Sequence, residues 1–159
     1  MPIYMKFEGI DGDVTTKGFE KCIELSSAQF GHTRAVTATG GESGRKGTPQ
    51  VTELTLTKVM DQSSSDLFRE SLAGEGKKVT LSFVTTGPDK STPYLTVELE
   101  STLVSSFSVG SQGAGSDAKP VETLSLNFTK ITYTTTTLDE KLRGTPKSTT
   151  YDMTTGTVH

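Results

Sequence analysis

From Leu103 to Tyr133 the chain reads LVSSFSVGSQGAGSDAKPVETLSLNFTKITY, two stretches that alternate apolar and small polar residues around a glycine-rich segment. A period of two gives a strand one apolar face and one polar face. Two such stretches joined by polar, Gly-rich residues read as one long antiparallel hairpin. The same period recurs along most of the chain. Ile3, Met5 and Phe7 share a face, with Tyr4, Lys6 and Glu8 on the other. Cys22–Phe30 and Thr33–Ala38 read as strands parted by Gly31 and His32. Across Gln50–Val59, residues Leu54, Leu56 and Lys58 fall on one side. Lys77–Thr86, Tyr94–Val109 and Val121–Thr137 continue the series. Such alternation belongs to a mainly β, antiparallel protein.

The segments between the strands carry turn chemistry. TGGESGRKGTP (39–49) reads as a long polar loop, and Pro88 and Pro93 bracket a turn. From about residue 138 the chain turns polar, with Gly144 and Pro146, and is expected to form a loop and a short extended tail ending in His159. One segment alone has the helical period. SSSDLFRESLAG predicts a short flanking helix over 63–73, with Ser63 as cap, Asp66 at the capping-box position and Gly74 as the stop. Leu67, Phe68, Ser71 and Leu72 form its stripe, which is expected to dock on the sheet because two to three turns do not stand alone.

A chain of 159 residues fits a single domain, 1–159, and buries enough surface to fold without a disulfide or metal. With a net charge of −3 and no basic stripe, nucleic acid is not an expected partner. The single cysteine, Cys22, can form neither an internal disulfide nor a cysteine-based zinc site. MPIYMKFEGI has no basic n-region and no continuous apolar core, so it does not read as a signal peptide. No apolar run approaches the ~20 residues that a membrane-spanning helix needs, and no membrane insertion is expected.

Candidate chemistry is thin. GSQGAGSDAKP (110–120) is followed by a strand, whereas a phosphate loop opens a helix whose N-terminal N–H groups face the anion. DGD (11–13) lacks the further ligands of a calcium loop and reads as a turn. A Ser-His-Asp site needs a histidine held by a carboxylate, and only His32, in a Phe-Gly-His-Thr turn, is available. Glu98 and Glu100 share the solvated face of one strand. The chain is therefore read as no enzyme, with no catalytic residue, metal or cofactor. Strand edges that can pair across molecules suit a self-assembling element instead.

Several blocks together resemble the haemolysin-coregulated protein (Hcp) family, the tube proteins of bacterial type VI secretion. They are IYMKFEGIDGD, IELSSAQFG (23–31), TGGESGRKGTP, VTELTLTKVMDQSSSDLF (51–68), LVSSFSVGSQGAG (103–115) and ETLSLNFTKITYTTTT (122–137). The resemblance implies a β-barrel of two packed, mostly antiparallel sheets with one flanking helix. It implies a homohexameric ring with a central channel, stacked into a tube inside a contractile sheath and capped by a spike of the valine-glycine repeat family. It also implies small effectors as cargo, and export from the bacterial cytoplasm without a signal peptide. Carried over residue by residue, Gly40, Gly41, Glu42, Arg45 and Lys46 would contact a neighbouring subunit or ring, and Ser27 and Gln29 would face the channel, with Phe30 packed inward. A monomeric β-sandwich module that binds a glycan or peptide is the second reading. Such modules present exposed aromatics, and this chain has no Trp and four dispersed Tyr.

Overall fold

The computed structural model describes residues 1–41, 46–88, 90–141 and 143–159. Its strands in chain order are β1 (Ile3–Phe7), β2 (Ile23–Leu25), β3 (Ser27–Gln29), β4 (His32–Val36), β5 (Lys46–Val51) and β6 (Leu54–Val59). Helix α1 (Ser64–Ala73) follows, then β7 (Lys77–Thr86), β8 (Ser91–Gly110), β9 (Val121–Asn127), β10 (Lys130–Leu138), β11 (Gly144–Asp152) and β12 (Thr157–Val158). Every pairing among the described residues is antiparallel.

Two sheets share the 20-residue strand β8. Its first half lies between β7 and β10 in sheet A, which runs β12-β11-β10-β8-β7-β1-β2. Its second half, Leu103–Gly110, pairs with β9 in sheet B, which runs β8-β9-β6-β3. The strand changes sheets at Ser101, whose backbone is left-handed with φ 52°. A second corner lies at Ser26, whose N–H donates to the Thr57 carbonyl at 2.8 Å. There β2, paired to β1, becomes β3, paired to β6. The pairing path therefore returns on itself through these two corners, which is how the two sheets enclose one core.

That core takes one side of each strand: Met5 and Phe7 of β1, Leu54 and Leu56 of β6, Val79 and Leu81 of β7, Val97 and Leu99 of β8, and Leu124 and Leu126 of β9. Each of these apolar pairs lies two residues apart, as the alternation requires. A small second cluster under Phe19 and Val14 covers Tyr4, Cys22 and Val84 on the other side of sheet A.

Several expectations are corrected. The bulge between Val104 and Ser106 sets Val104 opposite Leu126 and Phe107 opposite Leu124, so Val104 and Phe107 share the core face and simple alternation fails there. The run 121–137 is two strands, parted at Phe128 and Thr129. The run 50–59 is likewise broken at Thr52 and Glu53, and β5 begins at Lys46 inside the expected loop. The polar segment after Leu138 is strand β11, paired with β10 from Lys130–Asp152 to Leu138–Gly144. Its end is fixed too, because His159 and Thr150 exchange backbone hydrogen bonds of 2.8 and 2.9 Å. Helix α1 begins one residue later than expected, and Ser63 makes no side-chain cap. Of its stripe only Leu67 is buried; Leu72 is 72% exposed, and Phe68 meets Phe107 at 5.7 Å from outside the core.

Candidate assembly surfaces

Sheet B turns its leucines inward, so the alternate residues face out. Ser27 and Gln29 on β3 are exposed. Opposite them on β6 stand Thr57 and Thr55, and beyond these Thr123 and Ser125 on β9, then Ser108 and Ser106 on β8. The hydroxyls of Ser27 and Thr57 are hydrogen-bonded at 2.6 Å across the strand pair. At the far end of this face Glu53 accepts a hydrogen bond from Ser105 Oγ at 2.6 Å and one from Asn127 Nδ2 at 3.4 Å. Up to Glu53 the face is thus uncharged, built of small side chains and rich in hydroxyls. Phe30, the next residue along, packs against the core.

Both edges of sheet B are unpaired among the described residues. β3 pairs only with β6, and Leu103–Gly110 pairs only with β9. Unpaired N–H and C=O groups at an edge are a template for another strand.

Strands β4 and β5 continue the β3–β6 hairpin as a separate two-stranded ribbon. Thr52 fastens its root: its N–H and its hydroxyl each donate to the Gly31 carbonyl at 2.8 Å, and its Oγ1 accepts from the Gly31 N–H at 3.2 Å. Beyond the root all of β4 is exposed. Of the expected contact residues, Lys46 stands on this ribbon opposite Val36, and Gly40 and Gly41 lie in its exposed end, Gly40 with φ 104°. Glu42 and Arg45 lie outside the described residues.

Alternation puts Lys58 on the side of Leu54 and Leu56 but does not name its partners. Lys58 continues the buried parity of Leu54 and Leu56 and is itself fully buried. Its ammonium lies 2.6 Å from Glu122 Oε1 and 3.0 Å from Asp61 Oδ1, and it donates to the Val59 carbonyl at 3.1 Å. Ser64 Oγ donates to the same Glu122 oxygen at 2.9 Å and accepts the Asp61 N–H at 3.0 Å. Ser63 donates its N–H to Asp61 at 2.9 Å, and its hydroxyl to the same oxygen. The sequence signal was a lysine at a core position of β6 and a glutamate at a core position of β9. The network ties the start of α1 to sheet B.

His32 is exposed at the start of β4, and among the described residues no carboxylate is hydrogen-bonded to it. Among the described residues no three His, Cys, Asp or Glu side chains gather as metal ligands. Burial pushes the Cys22 thiol above its ordinary value, the reverse of an activated thiol. Glu98 and Glu100 face Lys78 and Lys130 at 3.6 and 3.8 Å on the surface of sheet A. No helix among the described residues is long and apolar enough to cross a membrane.

The fold is that of a mainly β protein with one flanking helix, a projecting ribbon and, among the described residues, an open edge on each side of sheet B. Residues 4–135 match the family described as type VI secretion system effector, Hcp, and the chain belongs to that family. Solved structures agree in fold. A structure of a type six secretion system protein is 23% identical over 99% of both chains, with a TM-score of 0.89. Hcp1 from Salmonella typhimurium is 20% identical over 99% of this chain and 98% of its own, with a TM-score of 0.75. A type VI secretion system effector from Yersinia pestis is 16% identical over 94% and 98%, with a TM-score of 0.71. No curated protein matches the chain. Family and fold together identify a type VI secretion tube protein.

Proposed function

We propose that the chain forms a homohexameric ring and that the rings stack into the inner tube that a contractile sheath drives out of the cell. The observation that carries the reading is the outer face of sheet B, on a chain of this family. It presents Ser27, Gln29, Thr55, Thr57, Thr123 and Ser125 side by side, with an open edge on each flank. Edge-to-edge pairing of neighbouring copies would join these faces into one continuous wall. Turned inward, that wall lines the channel with Ser27 and Gln29. Hydroxyls give a passing cargo neutral hydrogen bonds worth about 1 kcal/mol each, too weak to hold it fast. Small effectors are the cargo this lining suits.

The ribbon end, with Gly40, Gly41, Glu42, Arg45 and Lys46, reaches a neighbouring copy. An isolated two-stranded ribbon is marginal in water, and a partner surface supplies what this one lacks. The remaining partners are the valine-glycine repeat spike, the sheath and the baseplate. The protein waits in the bacterial cytoplasm and leaves with the tube, without a signal peptide.

Sedimentation at micromolar concentration tests the ring. Six times the 17.0 kDa chain mass is expected. A strict monomer at every concentration and salt would overturn it. Ser27→Cys tests the lining: in the assembled ring a bulky maleimide should label it far more slowly than a small one, and equal rates would move Ser27 out of the channel.

A further inference from the structure

A helix as short as α1 does not stand alone in water and ordinarily relies on an apolar face for its place in a fold. Of its 10 residues only Leu67 is buried. Phe68 is 52% exposed and touches Phe107 from outside the core, and Leu72 is exposed altogether. The other attachments are polar. At the start, Ser63 donates its N–H to Asp61 and Ser64 donates its hydroxyl to Glu122. Gln62 Nε2 donates to the Gly12 carbonyl at 2.6 Å. In the last turn the Glu70 carboxylate lies 3.1 Å from the Lys77 ammonium, at the start of β7. One leucine stands between two polar clamps.

The floor under the first clamp is charged. Two partners of the Lys58 ammonium, Asp61 Oδ1 at 3.0 Å and Ser64 Oγ at 3.2 Å, belong to the segment that leads into α1. Glu122 does not: it sits on β9, and Lys58 and Glu122 are register partners inside sheet B. The sheet reaches as far as Met60, whose N–H donates to the Pro120 carbonyl at 3.0 Å. Residues 61–74 therefore lie as a strap over the end of the sheet, and α1 stops at Gly74, where the backbone turns extended. Lifting the strap leaves the Lys58–Glu122 pair in the strand ladder and returns it to water. Regained hydration of two buried charges offsets the burial that Leu67 gives up and the bonds lost at Asp61 and Ser64. A floor of leucines would return nothing of the kind.

We infer that residues 61–74 are a latched strap that opens as one unit from a β-core that stays paired, and that the buried Lys58–Glu122 pair is the floor that eases the opening. Closed and open forms differ by two polar clamps and one leucine, which is the scale of a local opening and not of unfolding. The open form bares Leu67 together with its seat in the core and exposes the charged end of sheet B.

Hydrogen exchange of the full chain across a urea series tests it. The Leu67 N–H donates to the Ser63 carbonyl and the Gly74 N–H to the Glu70 carbonyl, both at 2.9 Å, so the two amides report the two ends of the strap. Both are expected to exchange at least about tenfold faster than the amides of β6 and β9, which lie inside sheet B. They should share one urea dependence, shallower than that of the strands because less surface is exposed. Strap and strand amides that exchange together at every urea concentration would overturn the proposal, since α1 would then leave only with the whole fold. A Gly74 amide indifferent to urea beside a Leu67 amide that follows the strands would overturn it too, as that is fraying from one end. Two variants read the latch itself. Lys77→Gln should speed strap exchange about threefold and leave the strands as they were. Lys58→Met/Glu122→Leu gives the strap an apolar floor and should slow its exchange about tenfold relative to the strands. A strap that ignores Lys77→Gln, or that opens as readily over the apolar floor, would overturn the latch.

Discussion

The Lys58 ammonium and the Glu122 carboxylate meet at 2.6 Å with both side chains out of water, one on β6 and the other on β9. Their backbones are register partners, so the pair bridges adjacent strands on the core face of sheet B. Burying two charges costs several kcal/mol of hydration each, which the close contact and the added bonds to Ser64 and Asp61 offset. Breaking it from one side leaves the other charge stranded. Lys58→Met is therefore expected to cost about 3–5 kcal/mol in urea unfolding, while Lys58→Met/Glu122→Leu costs far less. A double variant as unstable as the single one would mean that the pair itself stabilises the fold.

Helix α1 offers a contrast within five residues. Leu67 is fully buried in the main core, whereas Leu72 is 72% exposed. Leu67→Ala is expected to lose about 2–5 kcal/mol. Leu72→Ala should stay within about 0.5 kcal/mol. Thermal unfolding of the two variants distinguishes them, and equal losses would place the helix differently.

How far the sequence could be read follows the same physics. Strands buried on one face, such as β1, β6 and β9, announced themselves through Met5 and Phe7, Leu54 and Leu56, and Leu124 and Leu126. Strand β11 did not. It lies towards the edge of sheet A, Gly144–Thr149 are all exposed, and nothing apolar marks its period. The bulge at Ser105 was hidden because serine fits either face. The Leu67–Phe68–Leu72 stripe was legible as a stripe, but only packing decides that Leu67 alone enters the core. For the assembly surfaces, alternation was enough to put Ser27 and Gln29 on one outward face. The Lys58–Glu122 pair was not legible as a pair, because its members lie 64 residues apart in the chain and meet only once β6 has paired with β9.

The corner where β8 changes sheets depends on a glycine. Gly76 has φ 94°, and a Cβ built on it would sit 3.5 Å from Ser101 Cα, itself in a left-handed backbone. A side chain there is strained whatever the space. Gly76→Ala should destabilise by about 1–2 kcal/mol. Gly113, with open space around it in the β8–β9 loop, is the control, and Gly113→Ala should change stability by less than about 0.5 kcal/mol. If both substitutions prove neutral, the corner is not fixed by Gly76.

The C-terminal strand should respond to acid. Asp152 accepts hydrogen bonds from the Thr154 hydroxyl at 2.6 Å and from the Thr154 N–H at 2.9 Å, at the turn that folds β12 back on β11. These two bonds, the side-chain one foremost, hold its carboxyl below the ordinary aspartate value. A depressed carboxyl stabilises the folded form above the ordinary carboxylate range, and that contribution is lost as pH falls through the folded value. The Thr154 amide resonance should thus titrate with a midpoint below that of an unconstrained aspartate. Over the same range the His159 amide, bonded to the Thr150 carbonyl at 2.8 Å, should lose protection from hydrogen exchange. Asp152→Asn should remove both pH dependences. A Thr154 midpoint at the ordinary value, or a His159 amide indifferent to acid, would show that this turn is not what holds the chain end in place.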